Sequence, residues 1–235
     1  MSYITTTNLT SIMAEMTDFC NAACPMCNRF DWDLKLVKGI TNAHHTTLQF
    51  VKDRIGDEII SRLGGWTCQG TYGDASMNPE TVEIFKYLRE INPNIEINMY
   101  TNGGARSKGF WKALADLNVI ITFGIDGLED TNHLYRRNVR WDRLMQNTKA
   151  FIDAGGDARW KFIIFKHNEH QVLDARTLAN KMGFKLFELW LQIDLQIDTT
   201  QISFLFSIKI VIYNTSMNKE ICFLRSWTII TKLST

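Results

Sequence analysis

The chain has 235 residues, 45% of them hydrophobic, enough to bury a sizeable core as one large domain or as one domain with an appendage. A formal net charge of +1 provides no long-range field to draw in nucleic acid or an anionic membrane. Five cysteines (an odd count), no basic-then-apolar leader and no apolar run of ~18 residues argue against a disulfide framework and a membrane span, so the expectation is a cytoplasmic protein with free thiols.

Residues 11–17 (SIMAEMT) predict a first strand, buried by Ile12, Met13 and Met16. The strand runs into Cys20-Asn21-Ala22-Ala23-Cys24-Pro25-Met26-Cys27, three thiols at the spacing C-x-x-x-C-x-x-C. Three thiolates that close can grip one multi-iron cluster from one side. A four-iron cubane takes four outer ligands, so one iron is left open to something that is not protein. Other chemistry fits parts of the stretch. Cys24-Pro25-Met26-Cys27 is also a C-P-x-C, like a thiol oxidoreductase pair, although that leaves Cys20 without a role. A structural zinc site would recruit Cys68 or His44 as a fourth ligand, whereas such sites usually show two separated ligand pairs.

Residues 28–45 are polar and irregular, with the adjacent His44 and His45 read as loop residues. From Thr47, the residues Leu48, Val51, Ile55 and Ile59 recur at helical spacing, with Thr46 or Thr47 as cap. Residues 65–70 predict a second strand in which Cys68 is a small core residue. The turn Gly70-Thr71-Tyr72-Gly73-Asp74 follows, and its two glycines permit a sharp bend and close approach to a ligand. Asn78-Pro79-Glu80 then opens a helix: a cap, a proline in the first turn and an acid near the positive end.

Residues 95–100 alternate as a third strand ending in Thr101-Asn102-Gly103-Gly104, where Asn102 either bonds a ligand or holds the turn. Ser107 caps a helix through Leu117, and 119–125 is a fourth strand, apolar almost throughout as buried parallel strands are. Asp126-Gly127 ends it, and His133-Leu134-Tyr135-Arg136-Arg137-Asn138 follows. A helix over 142–154 stopped by Gly155-Gly156, a fifth strand over 160–165 with Lys166-His167-Asn168 at its end, a helix over 173–182 and a sixth strand over 185–191 complete the rhythm.

The cysteine spacing is identified as that of the radical S-adenosylmethionine (radical SAM) superfamily, over roughly residues 12–191, with a core similar to the SPASM/twitch-type and molybdenum-cofactor-cyclase-like members. The resemblance implies an α/β fold: a partial (β/α)6 TIM-like barrel, an open three-quarter barrel of parallel strands, with site residues after the strands' carboxyl ends. It implies that Cys20, Cys24 and Cys27 ligate a [4Fe-4S] cluster whose open iron binds S-adenosyl-L-methionine. Reductive cleavage then gives methionine and a 5′-deoxyadenosyl radical that takes hydrogen from a substrate, with an electron donor such as a flavodoxin or ferredoxin as partner.

By the same resemblance Met26, where the family usually has an aromatic residue, packs near the adenine. Gly73 and Asp74 resemble the last two positions of a Gly-Gly-Glu turn that meets the cofactor's amino group. Asn102, Asp126, Arg137 and Asn168 are further cofactor contacts, Arg137 through a two-pronged match to the carboxylate. Gly124 stands where members often carry the Ser of Ser-x-Asp-Gly. No residue on the substrate side is named, and a small molecule or a peptide is the expected substrate class.

The expected domains are a core over 1–191 and an atypical tail over 192–235. The tail holds an apolar, strand-like run over 204–213, and its single Cys222 cannot hold a second cluster. The expectation is that a native extension is missing or replaced there, through a frame change in the gene.

Overall fold

The computed structural model describes residues 9–31, 33, 35–195, 204–213, 222–224 and 230–231, with side chains described as far as Leu191. In chain order the elements are β1 (Ser11–Ala14), α1 (Leu48–Arg54), α2 (Gly56–Ile60), β2 (Gly65–Cys68), α3 (Thr81–Ile91), β3 (Glu96–Thr101), α4 (Lys108–Asp116) and β4 (Ile120–Gly124). They continue with α5 (Asn132–Tyr135), α6 (Trp141–Asp153), β5 (Asp157–Ile164), α7 (Val172–Met182), β6 (Leu186–Leu195), β7 (Phe204–Tyr213), β8 (Cys222–Leu224) and β9 (Ile230–Thr231). Strands β1 to β6 pair in sequence order and all in parallel, forming an open sheet that does not close on itself. This is the expected partial barrel.

The strand alternation explains where the core lies. On β3 the buried positions are Ile97, Met99 and Thr101, and on β5 Ala158, Trp160 and Phe162. These face the helices. Phe123 of β4 meets Trp111 of α4 at 5.5 Å and Phe151 of α6 at 5.9 Å, and Trp160 meets Phe187 of β6 at 5.7 Å. Each such side chain, fully buried, contributes on the order of 1.5–3 kcal/mol. The same alternation corrects one expectation. Ile12, Ala14 and Met16 share the core side, so Met13 faces the other way and is 72% exposed, while Met16 is 2% exposed.

Local chemistry shifts several predicted helix starts. Thr47 does cap α1, its hydroxyl accepting from the Phe50 N–H. The single helix expected from there is broken in two at Gly56, whose φ of +71° is left-handed. Asn78 is not the cap of α3. Its Nδ2 donates to the carbonyls of Met16 (2.7 Å) and Thr46 (2.8 Å), tying the end of β1 to the loop before α1. Glu80 instead accepts the Leu48 N–H and so helps to cap α1. Ser107 sits at the cap position of α4 without a side-chain bond.

The boundary expected at 191 falls inside β6. Strand β7 is the predicted apolar run, and it pairs antiparallel with β6 from Leu186↔Tyr213 to Leu195↔Phe204. Strands β8 and β9 pair antiparallel with β7. Of the expected tail, residues 196–203, 214–221, 225–229 and 232–235 lie outside the described residues. Among the described residues no helix is long and apolar enough to cross a membrane.

Candidate functional site

The cysteine loop leaves β1 at its carboxyl end and is fixed there from both sides. The Thr17 hydroxyl donates to the His44 carbonyl and accepts from the Phe19 N–H, so His45 Nδ1 at 2.9 Å is the donor of its own bond to Thr17. Asp18 accepts from the backbone N–H groups of Thr41 and His44. Burial pushes its carboxyl up, but these bonds together outweigh that and hold it well below the usual carboxylate range. Both histidines are therefore loop-ordering residues. Arg29, just after the third cysteine, is 2% exposed. Its Nε donates to the Tyr72 carbonyl (2.8 Å) and its Nη2 to the Asp18 carbonyl (3.1 Å) and to Asn42. One guanidinium thus clamps both ends of the loop and the turn after β2.

That turn packs on the loop by way of Gly73. A Cβ at this position would lie 2.2 Å from the Thr17 carbonyl oxygen and 2.8 Å from that of Phe19, so only glycine allows the approach. The Asp74 N–H then donates to the Phe19 carbonyl at 2.9 Å. The Asp74 side chain turns inward. Its Oδ1 accepts from the Ser76 N–H and hydroxyl, and its Oδ2 from the Asn102 N–H and Nδ2, with the Thr101 hydroxyl within 2.9 Å of both oxygens. Asn102 carries the network on to the thiols. Its Nδ2 also donates to Asn21 Oδ1 at 3.0 Å and lies 3.6 Å from Cys20 Sγ, while its Oδ1 accepts the Gly104 N–H. Through these bonds Asn102 holds the turn after β3.

A second network reaches Cys24 from the other side of the sheet. Asp126, fully buried after β4, accepts from the Ile163 N–H of β5 at 2.6 Å and from Arg136 Nε at 2.6 Å. Asn168 is also fully buried, with Oδ1 accepting the Phe165 N–H and Nδ2 donating to the carbonyls of Asp126 and Ile163. Arg136 Nη1 lies 3.8 Å from Cys24 Sγ. Burial works against its charge, but Asp126 and Cys24 outweigh that and hold it firmly cationic. Arg137, the arginine expected to face the cofactor, is exposed, and its backbone carbonyl rather than its guanidinium meets the loop, accepting the Ala23 N–H. Arg136 is the arginine beside the thiols.

Cys24 is 7% exposed, Cys20 and Cys27 are half-buried, and Met26 stands 46% exposed beside them. Burial, reinforced by Asp74, pushes the Cys20 thiol up to about 12, and burial also raises Cys24 against the pull of Arg136. A C-P-x-C nucleophile needs a lowered thiol pKa, so this environment speaks against the oxidoreductase reading. It suits thiols that deprotonate only when a metal takes them, with N–H donors already aimed at two of the sulfurs. Among the described residues no group of three or more His, Cys, Asp or Glu side chains is gathered tightly enough to grip one metal ion. Cluster cysteines bind different irons and need no such crowding, so the triplet fits a cluster better than it fits zinc. Cys68 is a fully buried core residue of β2 and lies in the wall of the core, not with the triplet.

Sequence reading missed Arg29, Asn21, Thr101, Ser76 and Arg136. Only Arg29 and Asn21 carried a signal, since both adjoin the cysteines in sequence.

Comparison with known proteins bears on the whole arrangement. The sequence profile of the radical SAM superfamily matches residues 14–186. No curated protein sequence matches the chain. Among solved structures, Streptococcus suis SuiB bound to S-adenosylmethionine is similar over 80% of this chain and 42% of SuiB, with TM-score 0.63 and 14% identity. SuiB bound to the precursor peptide SuiA is similar over 76% of this chain and 38% of that one, with TM-score 0.62 and 14% identity. Histidine-tagged anSMEcpe with bound AdoMet is similar over 78% and 49%, with TM-score 0.62 and 15% identity. The chain thus spans less than half the length of these solved chains.

Proposed function

The chain belongs to the radical SAM superfamily, and from that premise we propose that it is an enzyme in which Cys20, Cys24 and Cys27 hold a [4Fe-4S] cluster with one iron open to S-adenosyl-L-methionine. When bound, the two groups supply one-electron cleavage of the sulfonium to methionine and a 5′-deoxyadenosyl radical that abstracts hydrogen from a substrate. The observation that carries the reading is the cysteine triplet at the carboxyl end of β1, with the Asn102 amide nitrogen 3.6 Å from Cys20 Sγ and an Arg136 guanidinium nitrogen 3.8 Å from Cys24 Sγ.

The chain's own residues then divide into two groups. Asp74, Asp126 and Asn168, with their polar atoms bonded inside the chain, position the loops around the cofactor site. Met26, exposed on the loop, is free to pack on the adenine, and the backbone of the turn ending at Gly73 remains the candidate for the amino group. An electron donor such as a flavodoxin or ferredoxin completes the reaction, and a reducing cytoplasm suits the free thiols. Two similar structures hold peptides, SuiB with SuiA and anSMEcpe with the Cp18Cys peptide, which makes a peptide the first substrate class to test.

The test is release of 5′-deoxyadenosine by anaerobically reconstituted protein given dithionite and S-adenosyl-L-methionine. The expected result is release that disappears in Cys20→Ala. A protein that carries its cluster but yields none would contradict the enzymatic reading, and a colourless zinc-loaded protein would contradict the cluster.

A further inference from the structure

Glycine stands at 124, at the end of β4, in place of the serine of the expected Ser-x-Asp-Gly pattern, and the structure shows what fills the space. An ideal Cβ on Gly124 would lie 2.3 Å from Arg136 Nη2 and 2.9 Å from its Cζ. The guanidinium lies directly over the bare backbone of β4. A Cβ at 124 makes the guanidinium shift out of this seat, because real Cβ contacts are not this short.

Three restraints fix Arg136 in that slot. Its Nε is paired to Asp126 at 2.6 Å, and the Asp126 side chain has no exposure at all. Its Cζ stands 5.4 Å from the centre of the Tyr135 ring. Its backbone N–H donates to the Asn132 carbonyl, and Asn132 Oδ1 in turn accepts the Asp126 N–H. The remaining arm, Nη1, is the one 3.8 Å from Cys24 Sγ. Cys20 instead has the Ala22 N–H and the Asn102 amide as its hydrogen-bond partners, and Arg29 acts on it only through space.

Resting on the cluster reading above, we propose that Gly124 and Arg136 form a coupled pair that sets the cluster's reduction potential: the missing side chain at 124 seats a largely buried cation, its side chain 17% exposed, against Cys24, and that cation favours the more negative, reduced state. A hydrogen bond or a positive charge at a cluster thiolate stabilises added negative charge, and partial burial reduces the screening of that effect. Arg136 is here a positioning and tuning residue.

The experiment compares wild type, Gly124→Ala, Arg136→Gln and Arg136→Lys after anaerobic reconstitution, each matched for iron and sulfide, by redox titration followed by electron spin resonance. Gly124→Ala is the decisive variant, since it moves the guanidinium while keeping every charge in the chain. The expected result is a more negative midpoint in both Gly124→Ala and Arg136→Gln. The reduced fraction at a fixed poise falls about tenfold, which for a one-electron couple is 59 mV. Arg136→Lys lies between these and wild type. Unchanged midpoints in Gly124→Ala at full cluster content would overturn the coupling, and so would loss of the cluster in Arg136→Gln alongside an unmoved Gly124→Ala. A wild-type protein that takes up no iron and sulfide defeats the underlying assignment instead, and is told apart by analysis before any titration.

Discussion

Cys20 and Cys24 are four residues apart on one loop, and each is approached by a network built on a buried aspartate, yet the two networks work by different physics. On the β2–β3 side, Asp74 is surrounded by uncharged donors from Ser76, Thr101 and Asn102, and what reaches Cys20 is an amide. On the β4–β5 side, Asp126 is paired to a guanidinium, and what reaches Cys24 is a cation. The first arrangement is mainly geometric: a carboxylate with its lone pairs filled fixes three loops in one place. The second is electrostatic as well. A protein can hold a site's shape and set its charge with separate parts, and here the division follows the two halves of the sheet.

The largest expected effect comes from breaking the charged half. Asp126→Ala leaves the largely buried Arg136 without its partner and the Ile163 N–H without its acceptor, and destabilises by about 3 kcal/mol. Asp126→Asn with Arg136→Gln, which removes both charges, costs clearly less than the sum of the singles, a coupling that denaturant titration of the four-member cycle measures. The neutral half shows no such pattern. Asp74→Ala orphans the Ser76, Thr101 and Asn102 donors and costs about 3 kcal/mol, with no single partner whose removal restores stability.

A smaller loss, about 1–3 kcal/mol, is expected for Gly73→Ala, because its Cβ meets the Thr17 and Phe19 carbonyls, which are backbone and cannot rotate away. Thermal denaturation of the metal-free protein reads this directly. The last effect is on pH. Burial lifts the Cys20 and Cys68 thiols to about 12 from an ordinary 9.0, so the folded metal-free chain keeps protons that the unfolded chain gives up. The stability they contribute is complete below about pH 9 and is lost as pH rises toward 12. Cys68→Ala flattens part of that loss in a pH series of urea midpoints.

The strand–helix rhythm was legible because buried parallel strands such as β4 are apolar runs and the helices between them are punctuated by residues such as Gly155 and Gly183. The three cysteines were legible because their spacing has one main chemical use. What sequence did not disclose depends on contacts between distant segments. Nothing local distinguishes Arg136 from Arg137; the turn at the end of α5 sends one inward and the other to solvent. Nothing in Gly-x-Asp-Gly shows that the absent side chain leaves room for an arginine twelve residues on. Met13 faces outward despite its apolar side chain because on an edge strand the alternation of the backbone decides which side is buried.

Iron and acid-labile sulfide measured on oxygen-free reconstituted protein, with the spin-resonance spectrum recorded before and after S-adenosyl-L-methionine, tests the central claim most directly. About four of each per chain are expected, absent when Cys20, Cys24 or Cys27 is replaced by Ala, with a spectrum that changes on addition of the nucleotide. Iron-free protein, or a full cluster whose spectrum the nucleotide leaves untouched, would contradict it.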